Sequence, residues 1–195
     1  MNVQIEKILK ELKINPIIPC TSNFDDIIDS KYDKDKIVLL YDSNIFDLIN
    51  IAKKNAKANK LIILNIDTVK GISADEYGFK FLKDFIKIDA ITSSSPKTIN
   101  CLRKLDFLVM QSMFVLDTKS LKKGIELVKA GKPDLIDVRP GILFPKASNL
   151  LKENFNIPII CSGFISNKSE LQKIMESGAV GITTSSKDLW TMYAR

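Results

Sequence analysis

The sequence predicts an α/β fold, a compact (β/α)8 barrel with short loops. Two observations carry this reading. Short apolar runs alternate with stretches of helical periodicity from end to end of the chain, which is how a parallel sheet with helices outside it reads. Eight strand-like runs separated by helical stretches fit into 195 residues, near the short limit for closure into a barrel. The last two strands, moreover, lack apolar/polar alternation, as expected where both faces are buried. An open doubly wound sheet is the alternative, and only the order of strands separates the two. No linker or low-complexity segment interrupts residues 1–195, so one domain is expected.

Taken in order, residues 1–15 form a lead-in segment whose Ile5, Ile8, Leu9 and Leu12 fall on one helical face. Pro16 to Cys20 reads as the first strand, and Asn23 as the cap of a helix from Phe24 to Ser30. Lys36 to Tyr41 is the second strand. Ser43 is the expected N-cap of a helix from Asn44 to Ala58. Leu61 to Asp67 is the third strand, Lys70-Gly71 its turn, and Ser73 the cap of a helix from Ala74 to Ile86. Asp89 to Thr92 is the fourth strand, and Pro96 suits the first position of the next helix. Phe107 to Leu116 holds the fifth strand, followed by a helix from Lys119 to Ala130 that Gly131 ends. Leu135 to Val138 is the sixth strand, and Phe144 to Phe155 contains a helix. Residues 156–195 hold strands seven (Ile157 to Cys161) and eight (Ala179 to Thr183), each running into a small polar turn, Ser162-Gly163-Phe164 and Thr184-Ser185-Ser186.

Composition narrows the function classes. There is no histidine, which removes the commonest general base and the commonest metal ligand. Cys20, Cys101 and Cys161 are scattered without metal spacing, and reduced structural thiols are expected. No metal and no cofactor is expected. No apolar run is long enough to span a membrane, and the N-terminus lacks a signal-peptide pattern, so a cytoplasmic protein without a membrane partner is the expectation. The net charge of +6 suits an anionic partner. A lysine-rich genome bias explains it equally well.

In a barrel the working residues stand at the carboxyl ends of the strands. Here these include Asp42, Asn65, Asp67, Lys70, Asp137, Arg139, Ser162, Gly163, Thr183, Thr184 and Ser185. The turns after strands seven and eight expose backbone N–H groups at helix starts, a setting for phosphate. Asn65, Asp67 and Asp137 are candidates to meet at the centre of the mouth, where a carboxylate accepts hydrogen bonds from a polyol. Asp42 and Asp117 have helix capping as an alternative. Asp137 has an ion pair with Arg139, two residues on and on the same strand face.

Several blocks together resemble the bacterial glycerol-3-phosphate-responsive antiterminator family. They are Leu40-Tyr41-Asp42-Ser43, Lys70 to Tyr77, Phe114 to Asp117, Lys132 to Gly141, and Ile182 to Trp190. The resemblance runs from about Pro16 to Trp190. It implies a TIM barrel that binds glycerol 3-phosphate and then the leader of an mRNA for glycerol catabolism, preventing premature termination, without catalysis. This chain departs from the family at the mouth. Asn65-Ile66-Asp67-Thr68 stands for His-Ala-Asp-Leu, and Asp137-Val138-Arg139-Pro140-Gly141 for Glu-Val-Leu-Pro-Gly. Ser162-Gly163 stands for Gly-Gly, and Ser94 or Ser95 for an arginine.

Two function classes follow. In the first, a small phosphate ester gates a regulator that binds RNA through lysines such as Lys31, Lys34 and Lys36, or Lys119, Lys122 and Lys123, unless these are only solvated faces. In the second, a barrel lyase or transferase acts on a phosphorylated substrate with Lys70 as nucleophile or base beside Asp67 or Asp137. A homo-oligomer is compatible with either.

Overall fold

The computed structural model describes residues 3–28 and 35–192. Eight parallel strands follow one another around a closed barrel: β1 (Ile17–Thr21), β2 (Ile37–Leu40), β3 (Leu61–Asn65), β4 (Ala90–Ser93), β5 (Leu108–Phe114), β6 (Leu135–Arg139), β7 (Ile159–Ser162) and β8 (Gly181–Thr184). β8 returns to pair with β1, Ile17 lying opposite Ile182. This closure selects the barrel over the open sheet. Beyond the lead-in α1 (Val3–Ile14), the helices are α2 (Ile45–Ala58), α3 (Glu76–Phe81), α4 (Pro96–Lys104), α5 (Thr118–Gly131), α6 (Phe144–Asn154), α7 (Lys168–Glu176) and α8 (Lys187–Trp190). None of the described helices is long and apolar enough to cross a membrane.

The continuous apolar runs are explained by two cores. Along each strand alternate residues face opposite sides. Val38, Leu40, Ile62, Leu64, Ile91, Val109 and Ile136 pack outward under the helices. Ile18, Ile37, Leu39, Ile63, Leu108, Leu135 and Ile160 point inward and pack with Ile5, Ile8 and Leu12 of α1. The lead-in helix therefore belongs to the inner core and closes the amino-terminal end of the barrel. The inner face is apolar at that end and polar at the other, where Asn65, Thr92, Ser112, Asp137, Ser162 and Thr183 are buried.

Several element ends differ from the expectations, each through a local hydrogen bond. Asn44, not Ser43, caps α2, accepting from Phe46 and Asp47 N–H in a capping box. Ser43 is fully buried instead. Asp75, not Ser73, caps α3, accepting from Gly78 N–H at 2.9 Å. That helix continues as a π turn over Leu82–Ile86. Gly131 is the last residue of α5, and the left-handed residue that ends it is Lys132 at φ 51°. The expected helix after β1 is a single 3-10 turn, Phe24–Asp26, where Asn23 accepts from Asp25 N–H. Ser30, Lys31 and Lys34 lie outside the described residues.

Candidate functional site

A cavity of about 810 Å³ opens at the carboxyl ends of the strands. Of the residues selected from sequence, Asp42, Asn65, Arg139, Ser162, Gly163, Thr183, Thr184 and Ser185 line it. Asp67, Lys70 and Asp137 do not. Asp67 accepts three hydrogen bonds from the turn after β4, from Ser93 Oγ at 2.6 Å, Ser94 N–H at 2.7 Å and Ser94 Oγ at 2.8 Å. Lys70 ties the third turn to α2 through its backbone, its N–H donating to Ser43 O and its carbonyl accepting from Ile45 N–H. The two chemical alternatives for the acidic residues also resolve. Asp117 caps α5 by accepting from Ser120 N–H at 2.7 Å. Asp42 caps nothing; it sits at φ 50° and its N–H donates to Thr68 Oγ1 at 2.8 Å.

Asp137 lies directly beneath the cavity with no exposed surface. Five inward polar residues of β4 to β8, Thr92, Ser112, Asp137, Ser162 and Thr183, form one hydrogen-bonded layer, in which Ser112 lies opposite Asp137 and Ser162 opposite Thr183 in the strand registers. Ser162 Oγ donates to Asp137 Oδ1, and Ser112 Oγ to Oδ2 at 3.5 Å. Each serine has one proton, already given to Asp137. So Thr183 Oγ1 donates to Ser162 Oγ at 2.6 Å, and Thr92 Oγ1 to Ser112 Oγ at 3.2 Å. Two hydroxyl relays thus converge on one carboxylate. Arg139 Nε donates to Oδ2 at 2.5 Å, so the ion pair that their spacing offered as an alternative to ligand contact is formed. Burial pushes the Asp137 pKa up, while Arg139 and the serine hydroxyls pull it down. Burial works against the charge of Arg139, but Asp137 holds its pKa above the ordinary value. Cys20, on the same inner face, is pushed up to about 12 by burial, so it stands as a neutral thiol rather than a nucleophile.

The turns after β7 and β8 differ from one another. Gly163 adopts φ 90°, a conformation open to glycine and strained for other residues. Three further residues, Ile165 to Asn167, separate this turn from α7, and Asn167 caps that helix by accepting from Glu170 N–H at 3.0 Å. The β7 turn therefore does not run straight into its helix as expected. The β8 turn does: α8 begins just after Ser186, which makes no side-chain cap bond. Thr184 holds this turn in shape. Its hydroxyl donates to Ile165 O at 3.1 Å and accepts from Ser186 N–H at 3.1 Å, and its carbonyl accepts from buried Trp190 Nε1 at 2.7 Å.

Sequence reasoning missed Tyr41, Thr68, Phe114, Pro140, Phe164 and Ser166 as cavity residues. Their position just past strand ends was the available signal for most of them. It also missed Ser112 as a partner of Asp137, although the inward register of β5 contained it. Gln111, at a strand end by sequence, faces outward against α5, donating to Leu127 O at 3.2 Å. Among the described residues no three metal-ligating side chains cluster.

The sequence model of the glycerol-3-phosphate responsive antiterminator family matches residues 17–190. The chain is 26% identical to a glycerol uptake operon antiterminator regulatory protein from Listeria monocytogenes, with a TM-score of 0.82 over 91% of this chain and 96% of that one. It is likewise 26% identical to a glycerol uptake operon antiterminator-related protein from Thermotoga maritima, with a TM-score of 0.80 over 90% and 98% of the two chains. A protein of Escherichia coli K12 named YgcP, itself described as uncharacterized, is 28% identical over 156 residues, 80% of this chain and 81% of that protein.

Proposed function

The chain belongs to the glycerol-3-phosphate responsive antiterminator family, and from that premise we propose that it is a cytoplasmic regulator. It binds glycerol 3-phosphate at the barrel mouth and, so loaded, holds the leader of a glycerol-catabolism mRNA against premature termination. The observation that carries the reading is the cavity wall at β7 and β8. There a glycine turn and an uncapped helix start stand side by side, lined by Ser162, Thr183, Thr184 and Ser185. Such a wall suits a phosphate. Because the hydroxyls of Ser162, Thr183 and Thr184 are engaged in protein hydrogen bonds, the phosphate contacts fall to backbone N–H groups and Ser185. Asn65 and Asp42, across the cavity, take the glycerol hydroxyls. Asp137 does not touch the ligand in this reading; it is a positioning residue that fixes Arg139 and Ser162.

The RNA contact is proposed at the same end of the barrel. Phe114 and Phe164 border the cavity with 54% and 80% of their surface exposed, suitable for stacking of unpaired bases. Lys119 and Lys122, exposed in the first turns of α5 just beyond Phe114, supply charge for phosphates. Lys123 there pairs with Glu126 at 2.8 Å. Lys36 stands at the opposite end, where its carbonyl accepts from Leu61 N–H. In favour of a regulator over a lyase or transferase is the placement of the residues considered for catalysis: Lys70 is exposed and outside the cavity, and Asp67 and Asp137 are engaged by other partners.

The test is calorimetric titration with glycerol 3-phosphate of the natural chain and of Gly163→Val. The cavity leaves a Cβ at Gly163 3.8 Å from Pro140, so the fold survives while the strained turn moves, and binding is expected to vanish. Equal affinity in the two proteins would remove the phosphate from this turn.

A further inference from the structure

We infer that Arg139 supplies the cation for the ligand's phosphate, its two Nη groups donating to two phosphoryl oxygens from the β6 side. This rests on the phosphate reading of the β7 and β8 turns and adds the charged contact that those turns lack.

Three observations lead there. The first is need. The wall at β7 and β8 carries no side-chain charge, since Ser162, Gly163, Thr183, Thr184 and Ser185 are all neutral. The helix that starts there, α8, has four residues, and so short a helix sums few peptide dipoles to set against a phosphate. Among the residues lining the cavity Arg139 is the one cation. The second is place. β6 pairs with β7, so Arg139 ends the strand next to Ser162. One carboxylate joins the two residues, Asp137 accepting from Arg139 Nε through Oδ2 and from Ser162 Oγ through Oδ1. The following residue, Pro140, stands against the β7 turn, its Cα 3.8 Å from the position of a Cβ on Gly163. Arg139 thus borders the phosphate wall. The third is availability. Among the described residues the Arg139 side chain makes a single hydrogen bond, through Nε. It is 25% exposed and lines the cavity, which leaves the two Nη groups as its donors to a ligand. Asp137 offsets part of its charge but occupies one nitrogen of three. A guanidinium so held presents a fork that matches two oxygens of a phosphate. The fork is also fixed in advance, because Asp137 is fully buried and held by Ser112 and Ser162. Less side-chain entropy is then lost on binding.

The probes are glycerol 3-phosphate and inorganic phosphate, titrated into the natural chain, into Arg139→Lys and into the double variant Asp137→Asn/Arg139→Leu. The lysine keeps a charge for Asp137, and so leaves Ser162 held, but has no fork. Removing both members of the pair avoids leaving one buried charge without its partner. Both variants are expected to weaken both probes by the same factor, about tenfold to a hundredfold in the double variant. Weakening of glycerol 3-phosphate alone overturns the inference by placing Arg139 on the glycerol end. Unchanged affinity for both probes in the double variant overturns it by leaving Arg139 without a ligand contact. A loss confined to the double variant, with Arg139→Lys binding as the natural chain does, overturns it by assigning the loss to Ser162. In each of these cases binding of inorganic phosphate by the natural chain keeps the phosphate reading intact. If neither probe binds the natural chain, that reading itself fails and the inference falls with it.

Discussion

Asp137 receives hydrogen bonds from Ser162, Ser112 and Arg139 and shows no surface to solvent. Asp137→Asn puts an N–H group where only acceptors fit and leaves Arg139 without its counter-charge. The cost expected is about 1–3 kcal/mol of stability. Affinity for glycerol 3-phosphate falls with it, because Arg139 and Ser162 lose their common anchor. Melting temperature and ligand affinity measured on the variant check this; both unchanged would show that the carboxylate positions nothing. Asp35 offers a second residue-scale outcome, far from the mouth. It accepts from Asn15 Nδ2 at 2.7 Å, faces Lys60, and burial raises its pKa from 3.8 to about 6. The folded state therefore binds more protons than the unfolded chain between those values, so this residue makes stability fall as pH rises through that window. Asp35→Asn removes that slope. Thermal melts of both proteins between about pH 4 and about pH 7 should show the variant gaining on the natural chain as pH rises; a constant difference would refute the shift.

At the scale of elements, α1 is the unusual one. It precedes the barrel and shares a core with its interior rather than with the outer helices, through Ile5, Ile8 and Leu12. Gly181 in β8 accommodates it, since a Cβ there would stand 2.9 Å from a Leu12 methyl. Ile8 is 1% exposed at the middle of this contact. Ile8→Ala should cost about 2–5 kcal/mol, the range for deleting a buried aliphatic side chain. Chemical denaturation measures it. A loss under about 1 kcal/mol would mean that α1 only rests against the barrel end.

For the whole molecule, the proposed ligand and RNA share one end of the barrel, and their binding must be linked. If glycerol 3-phosphate tightens leader RNA by some factor, RNA tightens the ligand by the same factor. A coupling of about 1–3 kcal/mol corresponds to roughly 5–150-fold. Phe114 and Phe164 line the cavity and its rim at once, so ordering of the β7 turn by phosphate also orders an aromatic face. RNA affinity measured with and without ligand over a salt series is expected to show tightening that declines with salt. Identical affinities would detach the cavity from any RNA function.

The barrel and its order of elements were legible from the chain because strand and helix periodicities are local, and because eight doubly buried apolar runs admit few architectures. Asn65, Arg139, Gly163 and Ser185 were legible as mouth residues for the same reason: a strand end is a local feature. What stayed hidden depended on choices between neighbouring residues or on distant pairing. Whether Ser43 or Asn44 caps α2 turns on which side chain reaches back to the N–H groups, and both suit the role chemically. Asp67 and Asp137 stand at strand ends as the sequence shows, yet one turns to Ser93 and Ser94 and the other sinks beneath the cavity. That outcome rests on the register of strands some twenty-five residues apart. Closure of β8 on β1 is likewise a matter of tertiary structure, for the ladder hydrogen bonds that join them connect the two ends of the chain.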